Sequence, residues 1–358
     1  MNETSPHVQL DRMITGYWLS QAIYAAAKFG IADLVAGGPR SVDELAQQTA
    51  TNRDALYRLL RALASVGIFR EGPAQNFSLT PLAEPLQSNV PGSKRALALM
   101  SGDEQFRAWS EIVYSIQTGK KAFDKVFGKP IFDYLSEHHD KAQIFDAAMV
   151  GIHGRESGAV LKAYDFSGIN TVVDIGGGNG SQLIALLQAH PTMRGILFDL
   201  PHVVERAKAP IAAAGLAERC QLVAGSFFDT DAFANLPLPL GEGRGEGSPG
   251  SDAGDSDAVA YFMRHIIHDW DDEKCLTILR NCHRAMPADG RLLVVESVIP
   301  PGNEPFGSKF LDLVMLLIPG GKERTEEEYR DLFAQAGFAL SKIVPTGSEV
   351  SVIEAVKR

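Results

Sequence analysis

From Thr171 to Val356 seven short apolar runs recur, at Thr171–Ile175, Gly195–Asp199, Gln221–Gly225, Ala258–Met263, Arg291–Glu296, Phe338–Val344 and Val350–Val356. Helical stretches separate the first six. A strand that crosses over through a helix returns parallel to its predecessor, so this alternation predicts a parallel sheet covered by helices on both faces. The last two runs stand too close for a crossover and are expected to pair as an antiparallel hairpin. The spacing therefore predicts a doubly wound, seven-stranded, mostly parallel α/β sheet with one antiparallel strand.

A chain of 358 residues exceeds one ordinary core, and its earlier part reads differently. Between Met13 and Ala36 the residues Ile14, Tyr17, Trp18, Ala22, Ile23, Phe29 and Ile31 wrap much of a helix surface. A helix that apolar is expected to be buried, at a chain end against another subunit. Ser41 and Glu44 stand at capping-box spacing before a further helix. Leu56, Leu59, Leu60, Leu63 and Val66 recur at helical spacing up to Gly67. Ile68–Glu71 and Phe77–Leu79 then read as two short strands joined by a Gly72-Pro73 turn. These elements predict a mostly helical, winged-helix-like domain over residues 1–100. A helical connector rich in aromatic residues is expected over 101–165, and the sheet domain over 166–358. Residues 237–256, almost all Gly, Pro, Ser and charge, cannot bury enough apolar area to offset their ordering entropy. They are expected to form a disordered insertion with no catalytic part.

The formal net charge of −10 argues against general binding to nucleic acid or to an anionic membrane. Three cysteines, none in a CxxC pair, suit a reduced, cytoplasmic protein. The first residues lack a signal-peptide pattern, and the longest apolar run, around Phe310–Pro319, is broken by Asp312. No membrane span is expected.

Asp174-Ile-Gly176-Gly177-Gly178-Asn-Gly180 follows the first strand of the sheet and precedes a helix. Glycines there let the backbone approach a ligand where a Cβ would collide. The GxGxxG spacing of dinucleotide sites fails, because the sixth position is Ser181 or Leu183. Asp174 suits a cationic ligand better than a pyrophosphate, and Asp199, ending the second strand, can accept hydrogen bonds from ribose hydroxyls. Ribose joined to a positively charged amino-acid tail describes S-adenosylmethionine.

Four motifs then occur in order: Asp174–Gly180, Phe198-Asp-Leu-Pro-His-Val203, His268-Asp-Trp270 and Gly320-Gly-Lys-Glu-Arg-Thr325. The series resembles the small-molecule O-methyltransferases of the plant caffeate, hydroxyindole and bacterial polyketide type, over nearly the whole chain. The resemblance implies a Rossmann-like methyltransferase sheet, an N-terminal domain that forms a homodimer, and a small, aromatic hydroxyl acceptor. By position it implies that Asp174, Gly176, Gly178 and Asp199 hold the amino-acid and ribose parts of the cofactor. Phe227 would lie against the adenine, with Arg264 lining the same pocket. Relatives commonly carry an acid where Ser226 stands, so adenine is bound here by a weaker acceptor or by another group. Aligning Phe145, Met149 and Met315 with the family pattern makes them candidates for gripping the acceptor ring.

The resemblance also makes His268 a general base with Glu296 and Glu323 beside it. A phenol of pKa about 10 is mostly neutral at pH 7, and an imidazole of pKa about 6.5 lies more than three units lower. Coupling proton removal to carbon–oxygen bond formation avoids free phenolate. A carboxylate on the second ring nitrogen would fix the tautomer and stabilise the imidazolium. Glu296 ends an apolar run, so a buried partner such as His268 is expected for it. The neighbouring acids Asp271 and Asp272 read as helix caps, and no metal site is expected. Two other readings compete. One is a winged-helix regulator using Arg53, Arg58 and Arg61 on phosphates. The other is an NAD-dependent dehydrogenase, disfavoured by the broken glycine pattern.

Overall fold

The computed structural model describes residues 5–154, 156–234, 236–238 and 258–358. Apart from Pro237 and Leu238, the insertion expected over 237–256 lies outside the described residues. The chain divides into two compact units, Met1–Thr118 with Ala122–Arg155, and Gly119–Lys121 with Glu156–Arg358.

In the first unit the apolar stretch beginning at Met13 forms three helices rather than one, Pro6–Ile14, Gly16–Lys28 and Ile31–Leu34. Gly30 causes the second break: its left-handed φ of 65° ends one helix and starts the next. Ser41 and Glu44 form the reciprocal capping box, opening the helix Val42–Thr49. Strand β1 (Arg40–Ser41), β2 (Phe69–Gly72) and β3 (Asn76–Leu79) make a small antiparallel sheet in the order β1-β3-β2. Its two-residue edge strand is too short to carry a periodic signal. Leu56, Leu60 and Leu63 of the helix Arg53–Ser65 pack with Val42, Leu45, Phe69 and Phe77 in one core. Helices from Arg95 to His153 complete this unit, and one turn at Ser101–Gln105 is a π-helix.

The second unit contains the expected sheet, β4 (Thr171–Ile175), β5 (Arg194–Asp199), β6 (Cys220–Ala224), β7 (Val259–Arg264), β8 (Arg291–Glu296), β9 (Phe338–Pro345) and β10 (Ser351–Lys357). Its spatial order is β6-β5-β4-β7-β8-β10-β9, and β10 alone runs antiparallel to both neighbours. Successive residues point to opposite faces and both faces are buried. Thus Val173, Tyr261, Met263, Leu292 and Val294 enter one core, while Val172, Ala260, Phe262, Leu293 and Val295 enter another. Strand order reverses between β4 and β7, and the crevice at their carboxyl ends is where open α/β sheets bind ligands. No helix among the described residues is long and apolar enough to cross a membrane.

Candidate active site

The loop after β4 turns sharply enough that Gly176, Gly178 and Gly180 adopt φ values of 71°, 59° and 78°. A Cβ on Gly176 would overlap the Ile266 side chain, so the loop and the segment after β7 close on each other only with glycine there. The Gly178 N–H donates to Asp199 Oδ2 at 2.9 Å, and the Leu200 N–H donates to Asp199 Oδ1 at 2.7 Å. Burial nevertheless raises the Asp199 pKa against these two bonds. Asp174 is buried, and its Oδ2 has no hydrogen-bond partner among the described residues. Burial pushes its carboxyl up to about 7, with Arg264 opposing. An orphaned carboxylate oxygen beside a glycine loop asks for a cationic donor.

Arg264, at the end of β7, donates to Ser157 Oγ at 3.2 Å and to Ser181 Oγ at 3.4 Å, the latter opening the helix after the glycine loop. Its hydrogen bonds thus run to the helix start. Phe227 lies 3.8 Å from where a Gly176 Cβ would stand, and packs edge-on against Phe228 and Trp270 with centroids 4.9 and 5.9 Å away. The Ser226 hydroxyl accepts the Phe228 N–H at 3.3 Å and so stiffens its own turn. Buried Asn281 donates to the Phe227 carbonyl at 3.0 Å, a support that sequence reading missed because 54 residues separate the two.

His268 lies in a 3-10 turn, Ile267–Asp269, and is 6% exposed. Its Nδ1 is 2.7 Å from Glu323 Oε1, and its Nε2 faces Asp269 Oδ1 at 3.7 Å. The Glu323 N–H donates to Asp312 Oδ1 at 2.9 Å, which fixes the acid that holds the ring. Burial alone would lower the His268 pKa, but the Glu323 bond and the charges of Asp269, Glu296 and Glu323 raise it well above the ordinary imidazole range.

Glu296 meets His268 as expected, but at its main-chain N–H and not at its ring. Its Oε1 accepts the backbone N–H groups of Ile266, Ile267 and His268 at 3.0, 2.6 and 3.2 Å, and its Oε2 accepts the Tyr329 hydroxyl at 2.6 Å. A 3-10 turn leaves its first N–H groups unpaired, and a fully buried carboxylate there satisfies them. Glu296 therefore holds the backbone that carries the imidazole, and Glu323 holds the ring. Asp271 caps the helix Asp272–Ala285 by accepting the Lys274 N–H, as expected. His265, held at φ 55°, bonds Glu156 Oε2 at 2.8 Å. Phe145 and Met149 lie on the helix His139–His153 of the first unit, and Met315 on the helix Ser308–Leu317 of the second.

Two family models match, an O-methyltransferase dimerisation domain over residues 12–89 and an O-methyltransferase domain over 109–236 and 253–339. The chain belongs to the S-adenosylmethionine-dependent O-methyltransferases. The methyltransferase is 45% identical to the phenazine O-methyltransferase PhzM of Lysobacter antibioticus, over 96% of this chain and 94% of that one. It superposes on the crystal structure of LaPhzM with a TM-score of 0.88 and 44% identity, covering 99% and 100% of the two chains. The O-methyltransferase NcsB1 from neocarzinostatin biosynthesis, solved with S-adenosylmethionine and 2-hydroxy-5-methyl naphthoic acid, gives a TM-score of 0.77 at 32% identity. That match covers 95% of this chain and 96% of the other. Membership sets aside the dehydrogenase reading. The residues present fit such a cofactor: Asp174 Oδ2, without a partner among the described residues, would suit an ammonium, Asp199 presents a carboxylate at a strand end, and a Cβ on Gly178 would meet nothing within 4 Å, which marks open space beside the loop.

Proposed function

We propose that this methyltransferase methylates a hydroxyl of a small aromatic molecule, with His268 as general base. The observation that carries the reading is the buried Nδ1–Glu323 pair, which leaves Nε2 as the nitrogen available to an acceptor. Asp174, Gly176 and Gly178 are assigned to the cofactor's amino-acid part, Asp199 to its ribose, and Ser226 and Phe227 to its adenine. Arg264, beside a helix N-terminus, suits the cofactor's carboxylate better than its adenine. Bound S-adenosylmethionine supplies an electrophilic methyl carbon. His268 Nε2 takes the acceptor's proton as its oxygen becomes nucleophilic, and Glu323 stabilises the resulting imidazolium. A raised imidazole pKa narrows the gap to a phenol, so the transfer is less uphill than for an ordinary histidine.

The fused aromatic acceptors in the names of the relatives support an aromatic substrate. The family pattern assigns Phe145, Met149 and Met315 to its ring. Three buried cysteines free of disulfides, Cys220, Cys275 and Cys282, suit a reducing, cytoplasmic setting. Incubation with methyl-labelled cofactor and a panel of hydroxylated phenazines and naphthoates is expected to give labelled ethers. Label on nitrogen or carbon alone would reject the reading.

The first helices expose Met13 (76%), Ile14 (63%), Tyr17 (53%) and Trp18 (62%), an apolar face that suits a second copy of a chain carrying a dimerisation domain. Replacing Trp18 by glutamate is expected to shift the protein from dimer toward monomer in sedimentation velocity. An unchanged dimer would place the interface elsewhere.

A further inference from the structure

Arg324 follows Glu323 in the chain and is fully buried, an expensive place for a cation unless its bonds do something a smaller residue cannot. Nη1 donates to the carbonyls of Ile267 at 3.1 Å and Lys322 at 3.2 Å. Nη2 donates to the Trp270 carbonyl at 3.2 Å, Asp272 Oδ1 at 2.8 Å and Cys275 Sγ at 3.3 Å, and Nε donates to Asp272 Oδ1 at 3.2 Å. The guanidinium therefore grips carbonyls on both sides of His268, while Glu296 grips the N–H groups of the same turn. Its own carbonyl accepts the Ile299 N–H at 2.9 Å, just beyond the strand that ends in Glu296. Gly321 completes the contact, since a Cβ there would overlap the His268 carbonyl oxygen.

We propose that Arg324 is a positioning residue for the base: it locks the turn carrying His268 to the loop carrying Glu323, and so sets the Nδ1–Glu323 bond. It touches neither substrate nor cofactor. This rests on the reading of His268 as base. A lysine keeps the charge but has one compact ammonium, which cannot span two carbonyls and a carboxylate at once.

The test is R324K, read by turnover, by cofactor calorimetry and by NMR titration of the His268 ring, assigned by its loss in H268A. The groups facing that ring are Glu323, Asp269, Glu296 and the neighbouring His265, whose ring centroid is 5.0 Å away. Turnover is expected to fall by about 10–100-fold, the scale of a displaced catalytic group. Cofactor affinity should stay within about twofold, and the His268 titration should move down toward that of an ordinary imidazole of about 6.5. Because the charge is retained, that movement reports geometry. Wild-type turnover, or reduced turnover with an unmoved ring titration, would overturn the proposal. Should R324K not fold, D272N loosens the same guanidinium from its half-exposed anchor and should move the titration in the same direction; an unmoved titration in D272N overturns the proposal equally. Full turnover in H268A would instead reject the base, leaving the R324K titration to decide the positioning role by itself.

Discussion

Replacing His268 by alanine is expected to lower kcat by about 10²–10⁴-fold, the usual scale for a general base. Cofactor affinity should change little, because the groups assigned to it are Asp174, Asp199, Phe227 and the glycine loop. The residue is nearly buried, and the turn beneath it is held by Glu296 and Arg324 through main-chain atoms that alanine retains. Removing the ring therefore leaves that scaffold and its hydrogen bonds in place. Parallel measurement of kcat and of cofactor binding separates the possibilities. Loss of affinity with turnover preserved would mean that the imidazole holds the cofactor rather than the proton.

Glu323→Gln is expected to reduce kcat by about 10²-fold or more while leaving the imidazole in place, because the neutral amide neither stabilises the imidazolium nor enforces one tautomer. The same variant should shift the pH profile. A general base acts as the neutral ring, so under the role proposed for His268 activity is expected to rise with pH as the ring loses its proton. In the intact protein the Glu323 bond and three nearby acids hold that proton above the ordinary imidazole range, against the effect of burial. The acidic limb of kcat therefore lies above pH of about 6.5. Replacing the Glu323 carboxylate weakens the largest of the raising effects, its hydrogen bond to the ring, and removes a further negative charge, so the limb should move to lower pH. A limb that stays put in Glu323→Gln, or one already below pH of about 6 in the intact protein, would separate the observed ionisation from His268.

The two variants probe different links in one assembly. Tyr329, Glu296 and Arg324 hold the backbone, Glu323 holds the ring, and His268 is the group they present. Asp269 stands on the Nε2 side at 3.7 Å, with its own carboxyl raised to about 6 by burial against the opposing pull of His268. Its presence there was not expected from the sequence, where its neighbours read as helix caps.

Much of the scaffold was legible in the chain. A strand buried on both faces is a continuous apolar run, so β4 at Thr171–Ile175 and β8 at Arg291–Glu296 fall on the residues expected, and the other five differ by a residue or so at their ends. The glycine loop, the capping box at Ser41 and Glu44, and the closing antiparallel strand were equally local signals, each contained within a few residues. The first helical stretch was less legible, because hydrophobic periodicity runs through Gly30 without marking the turn there.

The division of labour among the acids was decided only by the fold. Glu296 was expected at the imidazole and instead binds three main-chain N–H groups, which carry no side-chain signature in any sequence. Arg324 looks like an ordinary charge in a polar loop until 57 residues of chain bring it under the Ile267 carbonyl. Local pattern determines which elements form, because helix and strand are selected by neighbours in the chain. Which buried donor meets which acceptor depends on the packing of distant segments, where desolvation makes an unpaired charge costly.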